Sequence, residues 1–449
     1  MKRVQKLLCM YYFKVTFTFC VALIIIVSGC NSIIHFKQIQ TQPKVQASSY
    51  RTFADWCVNK TNLTPSTRHT IELLLREVET TDCAQANKKL SSRTELSIEG
   101  SQLVDISPFS SFKKLRKLTL SVNKISDISP LSYLTNLTVL ELDRNHTISD
   151  ITPLKHLTNL TELALFGNQI SDIAPLKDLT KLTVLDLRYN QIKFLNNLNN
   201  LNNLTKLSLT DNQVSNVNPL QSLTHLTYLS LDANKIFDIN PLKFLNKLKK
   251  LYLHKNKISD ISPLQSLTNL NTLFIYTNKI SDISPLQFLT NLTTLYIFEN
   301  QISDISSLRF MTKLKEVDLG HNKIFDISML SGINLTSLDL TNNHIFDVRP
   351  LKFMTTLTVL SLADNQISDI SPLKSLTKLT ELYLSENKIS DASALKSLTS
   401  LRRLDIANNR ITDISMLKSL TNLLEVYLEG NPLTNKNCPF GYDFRCRYE

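Results

Sequence analysis

One nine-residue phrase returns sixteen times along this 449-residue chain. Its form is LxxLxLxxN, as in LRKLTLSVN (115–123) or LTELYLSEN (379–387). Fifteen copies close on an asparagine: Asn123, Asn145, Asn168, Asn190, Asn212, Asn234, Asn256, Asn278, Asn300, Asn322, Asn343, Asn365, Asn387, Asn409 and Asn431. The step between them is 22 residues, apart from one of 23 and one of 21, and a first copy, RTELSIEGS, carries Ser101 at the closing position. A fixed period of this length means that each unit is one small structural element that cannot bury its apolar side until neighbours stack on it. The alternation in Leu118-Thr119-Leu120 sends leucines inward and the residue between them to solvent, as a strand of period two requires. The chain is therefore expected to be a solenoid with one strand per coil.

The asparagine has a physical task. A side-chain amide offers two donors and two acceptor lone pairs, enough to satisfy backbone groups that a buried turn would leave unpaired. Stacked coil on coil, these residues should form a ladder. The return segment, typically NKISDISPLxxLTNL, carries Pro130, Pro153, Pro175, Pro219, Pro241, Pro263, Pro285, Pro350 and Pro372. Proline lacks an amide donor and does not fit the middle of a helix or sheet, so extended or short 3₁₀ turns are expected on the far side. The copy after Asn190, QIKFLNNLNNLNNLTKL, keeps the leucines and loses the Asp-Ile-x-Pro-Leu element. A local change of turn is expected there, with a docking site as the alternative.

A compact core stops growing at roughly 250–300 residues, a limit that a solenoid escapes by growing in one dimension. The N-terminus reads as an export signal: MKRVQKLLCMYYFK is basic, VTFTFCVALIIIVSG is apolar and uncharged, and Val27-Ser28-Gly29-Cys30 follows. That tetrapeptide resembles the lipobox of bacterial lipoproteins, which implies a signal over 1–29, lipidation of Cys30 and a polar tether over 30–49. The alternative is an uncleaved anchor, because residues 15–34 hold no charge and suffice to span a bilayer. Both place the repeats outside the cytoplasmic membrane, held at their N-terminal end. None of the seven cysteines lies within the repeats, and four bracket them as Cys57 with Cys83 and Cys438 with Cys446. An even count at the two ends of an exported solenoid suggests two cap disulfides, against the alternative of four free buried thiols.

Open solenoid ends need covering. Thr64-Pro65 resembles a helix start, and Ile71, Leu74, Leu75 and Val78 recur at helical spacing, so a cap helix is expected from about Pro65 to Glu79. The layout is then an N-terminal helical cap over 50–92, sixteen repeats over 93–431 and a C-terminal cap over 432–449. With repeats, caps and signal together, the chain resembles the 22-residue class of bacterial leucine-rich-repeat proteins, similar to the internalin type. It is closer still to exported cyanobacterial repeat proteins with a WC…DC cap, matched here by Trp56-Cys57 and Asp82-Cys83. The resemblance implies an α/β repeat fold, a right-handed solenoid with a parallel concave sheet and extended or 3₁₀ convex turns. Internalins engage host surface proteins through the concave face. They carry an immunoglobulin-like domain and a wall-sorting signal after the repeats, neither of which follows Asn431 here, so host invasion is not the expected role.

Solvent-facing positions of the phrase are the third, fifth, seventh and eighth. Over all copies these hold eighteen acids and seven bases, a net −11, while the rest of the chain from Cys30 onward holds thirty-nine bases and twenty-one acids, a net +18. Nucleic acid is steered by a basic face, so the concave surface is a poor platform for it. Aromatic residues cluster there: Tyr252, Phe274, Tyr276, Tyr296 and Phe298 fall in three consecutive copies, with His254 and Lys255 on one side and Glu299, Glu316 and Asp318 on the other. Aromatic clusters of this kind are typical anchors of binding surfaces, although aromatic residues also simply suit strands and pair across them. No GxSxG, HExxH, phosphate loop or CxxC pair occurs, and the histidines are scattered. No enzyme, metal or cofactor is therefore expected; paired acids such as Asp318 and Asp339 leave a hydrolase as the remote alternative. The expected function is a membrane-tethered scaffold that binds another protein through its concave face, with recognition of a glycan or cell-wall polymer as the rival reading.

Overall fold

The structure, a computed structural model, describes residues 50–435, 438 and 446–448. The expected signal, Cys30 and the tether lie outside the described residues. Three helices open the fold: α1 (Phe53–Val58), α2 (Pro65–Glu77) and α3 (Cys83–Ser92). Each starts on a side chain that accepts an otherwise orphaned amide: Thr52 from Asp55, Thr64 from Thr67 and Asp82 from Gln85. The sequence pointed to α2 alone, because only that segment shows a sustained helical spacing. Its C-terminal end falls at Glu77, where Val78 and then Glu79 (φ 52°) turn the chain away.

The cap closes the first coil with apolar and polar contacts together. Phe53, Ile71, Leu74 and Leu90 are buried, and Phe112, itself in contact with Phe109 of the first turn of the repeats, meets Phe53. Thr70, fully buried, donates to Asp105 O at 2.6 Å, Thr67 donates to the Asp105 carboxylate, and His69 Nε2 lies 2.8 Å from Ser101 O. The sulfurs of Cys57 and Cys83 are bonded, closing a 26-residue separation. Cross-links of this kind typically contribute about 2–4 kcal/mol.

Sixteen three-residue strands follow, from β1 (Glu95–Ser97) to β16 (Glu425–Tyr427), and each pairs in parallel with the next. The register puts leucine on leucine, as in Leu251↔Leu273 and Leu273↔Leu295, so one apolar ladder runs the length of the repeats. Cys446, bonded to Cys438, lies in β17 (Cys446–Arg447), which pairs with β16 and covers the last coil. On the far side a 3₁₀ turn lies between each pair of successive strands; ten of the fifteen turns have proline at the second position, and four more carry Ser, Met or Ala there. An aspartate two residues upstream, or Asn216 in one copy, caps the turns, as Asp260 Oδ1 accepts the Ser262 amide at 2.8 Å. Phe194 stands at that position before the three-residue turn Asn196–Leu198; Ala174–Leu176 is equally short with Asp172 in place.

The asparagine ladder is the most regular feature. Asn212 Nδ2 donates to Leu187 O of the preceding coil at 2.9 Å and to Leu209 O at 3.1 Å, while its Oδ1 accepts the Ile192 amide at 2.9 Å. The residue before each asparagine is left-handed: Asp211, Ala233, Lys255, Thr277, Glu299 and their equivalents lie near φ 50–60°, and only Gly100, Gly167 and Gly430 do so without a side chain. That conformation costs an L-residue roughly 1–2 kcal/mol, and it bends the chain so that the amide can enter the core. The eighth position of the phrase is thus a turn rather than strand. One rung differs. The extra residue of the 23-residue copy, His146 (φ 64°), displaces the next amides, and the buried Asn168 Oδ1 has no partner.

Removing a rung should expose this bookkeeping of amides. Asn212→Ala orphans the Ile192 amide and removes one of the two asparagine donors from each of Leu187 O and Leu209 O, and is expected to lower stability by about 2 kcal/mol or more. Asn168→Ala orphans no amide and should cost distinctly less. Urea unfolding of the two variants checks this; equal losses would show that the acceptor half of the ladder contributes nothing.

Candidate functional site

Backbone pairing continues beyond each strand, since the Leu253 amide donates to Phe274 O at 2.7 Å and the Lys255 amide to Tyr276 O at 3.0 Å. The fifth and seventh residues of each phrase therefore stand side by side on the concave face. This places the aromatic residues in two rows. The first crosses β8 (Lys250–Tyr252), β9 (Thr272–Phe274) and β10 (Thr294–Tyr296): Tyr252 meets Phe274 edge-on at 5.0 Å, and Phe274 stacks on Tyr296 at 4.4 Å. In the second, His254 stacks on Tyr276 at 4.2 Å and Tyr276 on Phe298 at 4.1 Å, with ring planes 11° apart in both pairs. Because each ring covers a face of its neighbour, all six are half-buried instead of fully exposed. Stacked pairs contribute about 0.5–1.5 kcal/mol each beyond their area, so the rows are pre-organised.

Tyr228, in β7 (Tyr228–Ser230), extends the first row at 5.3 Å from Tyr252. It occupies a third position of the phrase, outside the fifth and seventh positions that carry the rest of the cluster, and the same strand alternation identifies it. Burial pushes the hydroxyls of Tyr228, Tyr252 and Tyr296 up from their ordinary value, so all three remain protonated donors at neutral pH.

The flanks differ in character. His254 Nδ1 lies 2.7 Å from Asp232 Oδ1, in contact but without the in-line angle of a hydrogen bond, while the His254 amide donates to the same oxygen at 3.1 Å. Asp232 itself is buried and accepts from Ser230 Oγ at 2.9 Å. Lys255 and Glu299 sit in left-handed turns at the rim; Glu299 accepts from Thr277 Oγ1 at 2.8 Å. Glu316 is exposed on β11 (Glu316–Asp318). Asp318 stands in register with Asp339 of β12 (Ser337–Asp339), and each carboxylate accepts a backbone amide two residues on, from Gly320 at 3.0 Å and Thr341 at 2.8 Å. Burial, then the neighbouring Asp339 and Glu299, push Asp318 up to about 7. The second aromatic row stops at Gly320, the next seventh position. A Cβ there would stand 3.3 Å from Asp318 Oδ1 and from Thr341 O, so the backbone packs too closely for a ring to be added without displacement.

Elsewhere on the face, Phe166 lies between the guanidinium groups of Arg144 and Arg188, each 5.1 Å from its centroid. A cleft of about 690 Å³ near the C-terminal cap is lined by Glu381, Arg403, Glu425 and Arg447 among others. Its ions satisfy one another, Arg403 reaching Glu381 at 3.4 Å and Glu425 at 3.2 Å, which leaves the aromatic rows as the stronger candidate. Among the described residues no group of three His, Cys, Asp or Glu is placed to hold a metal. The far side holds a feature that strand-based reading passes over: Phe244, Phe288, Phe310 and Phe353 close four 3₁₀ turns at 42–61% exposure. Their signal is phenylalanine where other copies have serine, as in PLQF against PLQS.

Asp318 gives the site a pH dependence whose sign is fixed. A carboxyl raised in the folded state binds its proton more tightly there than in the unfolded chain, so stability is fully present below about pH 4 and declines as pH rises towards 7. Asp318→Asn should remove that decline. Thermal melts at pH 5 and pH 8 are expected to show the variant gaining more on the wild type at the higher pH; a gain equal at both would place the origin elsewhere.

The comparisons with known proteins fall on the same architecture. The model described as leucine-rich repeats (2 copies) matches residues 113–156, 158–200, 246–287, 290–332, 355–397 and 399–437, more than half of the chain, and a single-repeat model matches 333–348. No protein with a curated description matches in sequence. An internalin (inlF) of Listeria monocytogenes is 30% identical, with a TM-score of 0.58 over 82% of this chain and 95% of that one. A leucine-rich-repeat protein of Leptospira interrogans is 25% identical, with a TM-score of 0.72 over 79% and 94%. The plant peptide hormone receptor RGFR1, in complex with RGF2, shares the fold at 21% identity and a TM-score of 0.56 over 77% of this chain and 72% of that one. With its sixteen stacked phrases and these matches, the chain belongs to the leucine-rich-repeat family and is internalin-like within it.

Proposed function

We propose that this protein is an extracytoplasmic scaffold that binds another protein through its concave face, and that it is not an enzyme. One observation carries the reading: two stacked rows, Tyr252–Phe274–Tyr296 and His254–Tyr276–Phe298, cross three neighbouring strands of an otherwise acidic face. Rigid aromatic groups lose little entropy when a partner covers them, and interface anchors are enriched in such residues. The protonated tyrosine hydroxyls supply donors at the edge of the rows, and Glu316 and Asp318 would orient a partner that presents positive charge. The same fold serves RGFR1, solved in complex with RGF2, which supports a protein ligand in kind. A glycan is the second reading, favoured by the parallel ring planes of Tyr276 and Phe298, a platform that also suits sugar faces.

The double variant Tyr276→Ala/Phe298→Ala tests the site. Truncating an interface anchor commonly costs about 2 kcal/mol or more, roughly thirtyfold in affinity. An envelope protein retained by the purified repeats should therefore be lost by the double variant, which keeps its fold with only the stacking contribution removed. Retention by both proteins alike would dismiss the aromatic rows as the contact. Glycan-array binding lost in the same variant, with no protein retained, would transfer the site to the second reading.

Address belongs to the same proposal. The uncharged run ending in Val-Ser-Gly-Cys motivates processing before Cys30 and lipid attachment there. Cys30→Ala is expected to accumulate as an unprocessed precursor. A mature wild-type protein that begins at Met1 would replace the lipid with an uncleaved anchor.

A further inference from the structure

The far side of the solenoid has a chemistry of its own. Fifteen segments run from the start of a 3₁₀ turn to the residue before the next strand, from 107–116 to 415–424, and together they hold nineteen Lys or Arg and one acid, Asp178. The aspartates that cap the turns stand upstream, on the flank leading in, with their carboxylates on the turns' own amides, as Asp304 Oδ1 accepts from Ser306. Into this basic strip project Phe244, Phe288, Phe310 and Phe353, the last residues of turns Asn240–Phe244, Ser284–Phe288, Ser306–Phe310 and Arg349–Phe353. They lie within six consecutive copies and are 48, 49, 42 and 61% exposed. Three carry a cation over the ring: Lys243 Nζ at 5.2 Å from Phe244, Arg309 Cζ at 4.6 Å from Phe310 and Lys352 Nζ at 4.7 Å from Phe353.

We propose that this strip of paired phenylalanine and basic side chains docks on an anionic lipid bilayer. Charge complementarity selects the occupant. A second copy of the same strip is excluded by repulsion between like charges. A soluble polyanion would use the cations and leave four phenylalanines in water, whereas an anionic bilayer engages both, with cations at the headgroups and rings at the acyl boundary. Phe288 and Phe310 stand in adjacent turns, and Ser266 and Gly332, at the equivalent positions, separate Phe244 and Phe353 from them. A folded partner would need three separate pockets for these rings; a fluid surface needs none. The strip faces away from the concave rows, so docking leaves them open to a partner.

The experiment uses the unit 47–449, which contains the whole of the described core and both caps, so that residues 1–46 contribute nothing to binding. It is sedimented with vesicles of phosphatidylcholine alone and of phosphatidylcholine with phosphatidylglycerol. Binding is expected to the anionic vesicles only, and to weaken with added salt. Lys243→Gln/Arg309→Gln/Lys352→Gln should lower partitioning about fivefold for each charge removed. Phe288→Ser/Phe310→Ser should lower it about tenfold or more, with unchanged thermal melting because both rings are exposed. Phe288→Trp should show a blue-shifted emission quenched by brominated lipid, while the buried Trp56 reports no change. Three outcomes overturn the proposal: no binding to anionic vesicles, binding that the phenylalanine variants leave unaltered, or polyphosphate binding of the same strength and the same indifference to those variants.

Discussion

The structure depends on one side-chain amide per coil. A 22-residue coil must turn inward at the end of its strand, and a turn made inside an apolar core strands both amides and carbonyls away from water. The buried asparagine resolves this by donating to its own coil and the one before while accepting an amide from that preceding coil, as Asn234 does with Leu231, Leu209 and Val214. One donated bond and the accepted one therefore join neighbouring coils at each regular rung. The leucines supply the magnitude of stabilisation, but they tolerate sliding; the amide sets the height and rotation at which one coil sits on the next. From that registration follows the alignment of fifth and seventh residues that builds the two aromatic rows.

Much of this was legible in the sequence, and the reasons are local. The period, the leucine alternation and the asparagine together admit few other arrangements, and Pro130 or Pro263 could hardly stand in anything but a turn. The cap was legible at α2, where Thr64-Pro65 announces a start, and hidden at α1 and α3, whose six and ten residues are too short to establish a helical spacing. The left-handed position before each asparagine left no trace, because glycine fills it only at Gly100, Gly167 and Gly430 while Val122, Lys255 and Thr277 adopt it under duress from the turn. The candidate site was visible as a cluster of aromatic residues. Its stacking was not, since ring planes depend on rotamers that the pattern does not encode. Burial of Asp232 beneath the first histidine, and the pairing of Asp318 with Asp339, depend likewise on contacts between coils 21 or 22 residues apart.

The two broad faces of the solenoid divide the work by chemistry. The concave face is acidic and holds its aromatic groups in contact with one another, as rigid, half-buried platforms. The far side is basic and carries its phenylalanines at the ends of separate turns, three of the four with a cation over the ring. Both arrangements arise from the same repeat because the strand and the return segment change independently: a substitution at a fifth position alters only one face, and a substitution at the end of a 3₁₀ turn only the other.

Asn168 Oδ1 is the one acceptor of the described ladder left without a partner. In a nearest-neighbour chain, stability is the sum of coil terms and interface terms, and cooperativity extends only as far as the interfaces remain strong. At the junction between the copies closing on Asn145 and Asn168 one interfacial acceptor bond is missing, while Asn168 Nδ2 still donates to Leu142 O at 3.1 Å and the strands Val139–Glu141 and Glu162–Ala164 stay paired. In those terms the interface three coils in from the cap carries a smaller coupling than its neighbours.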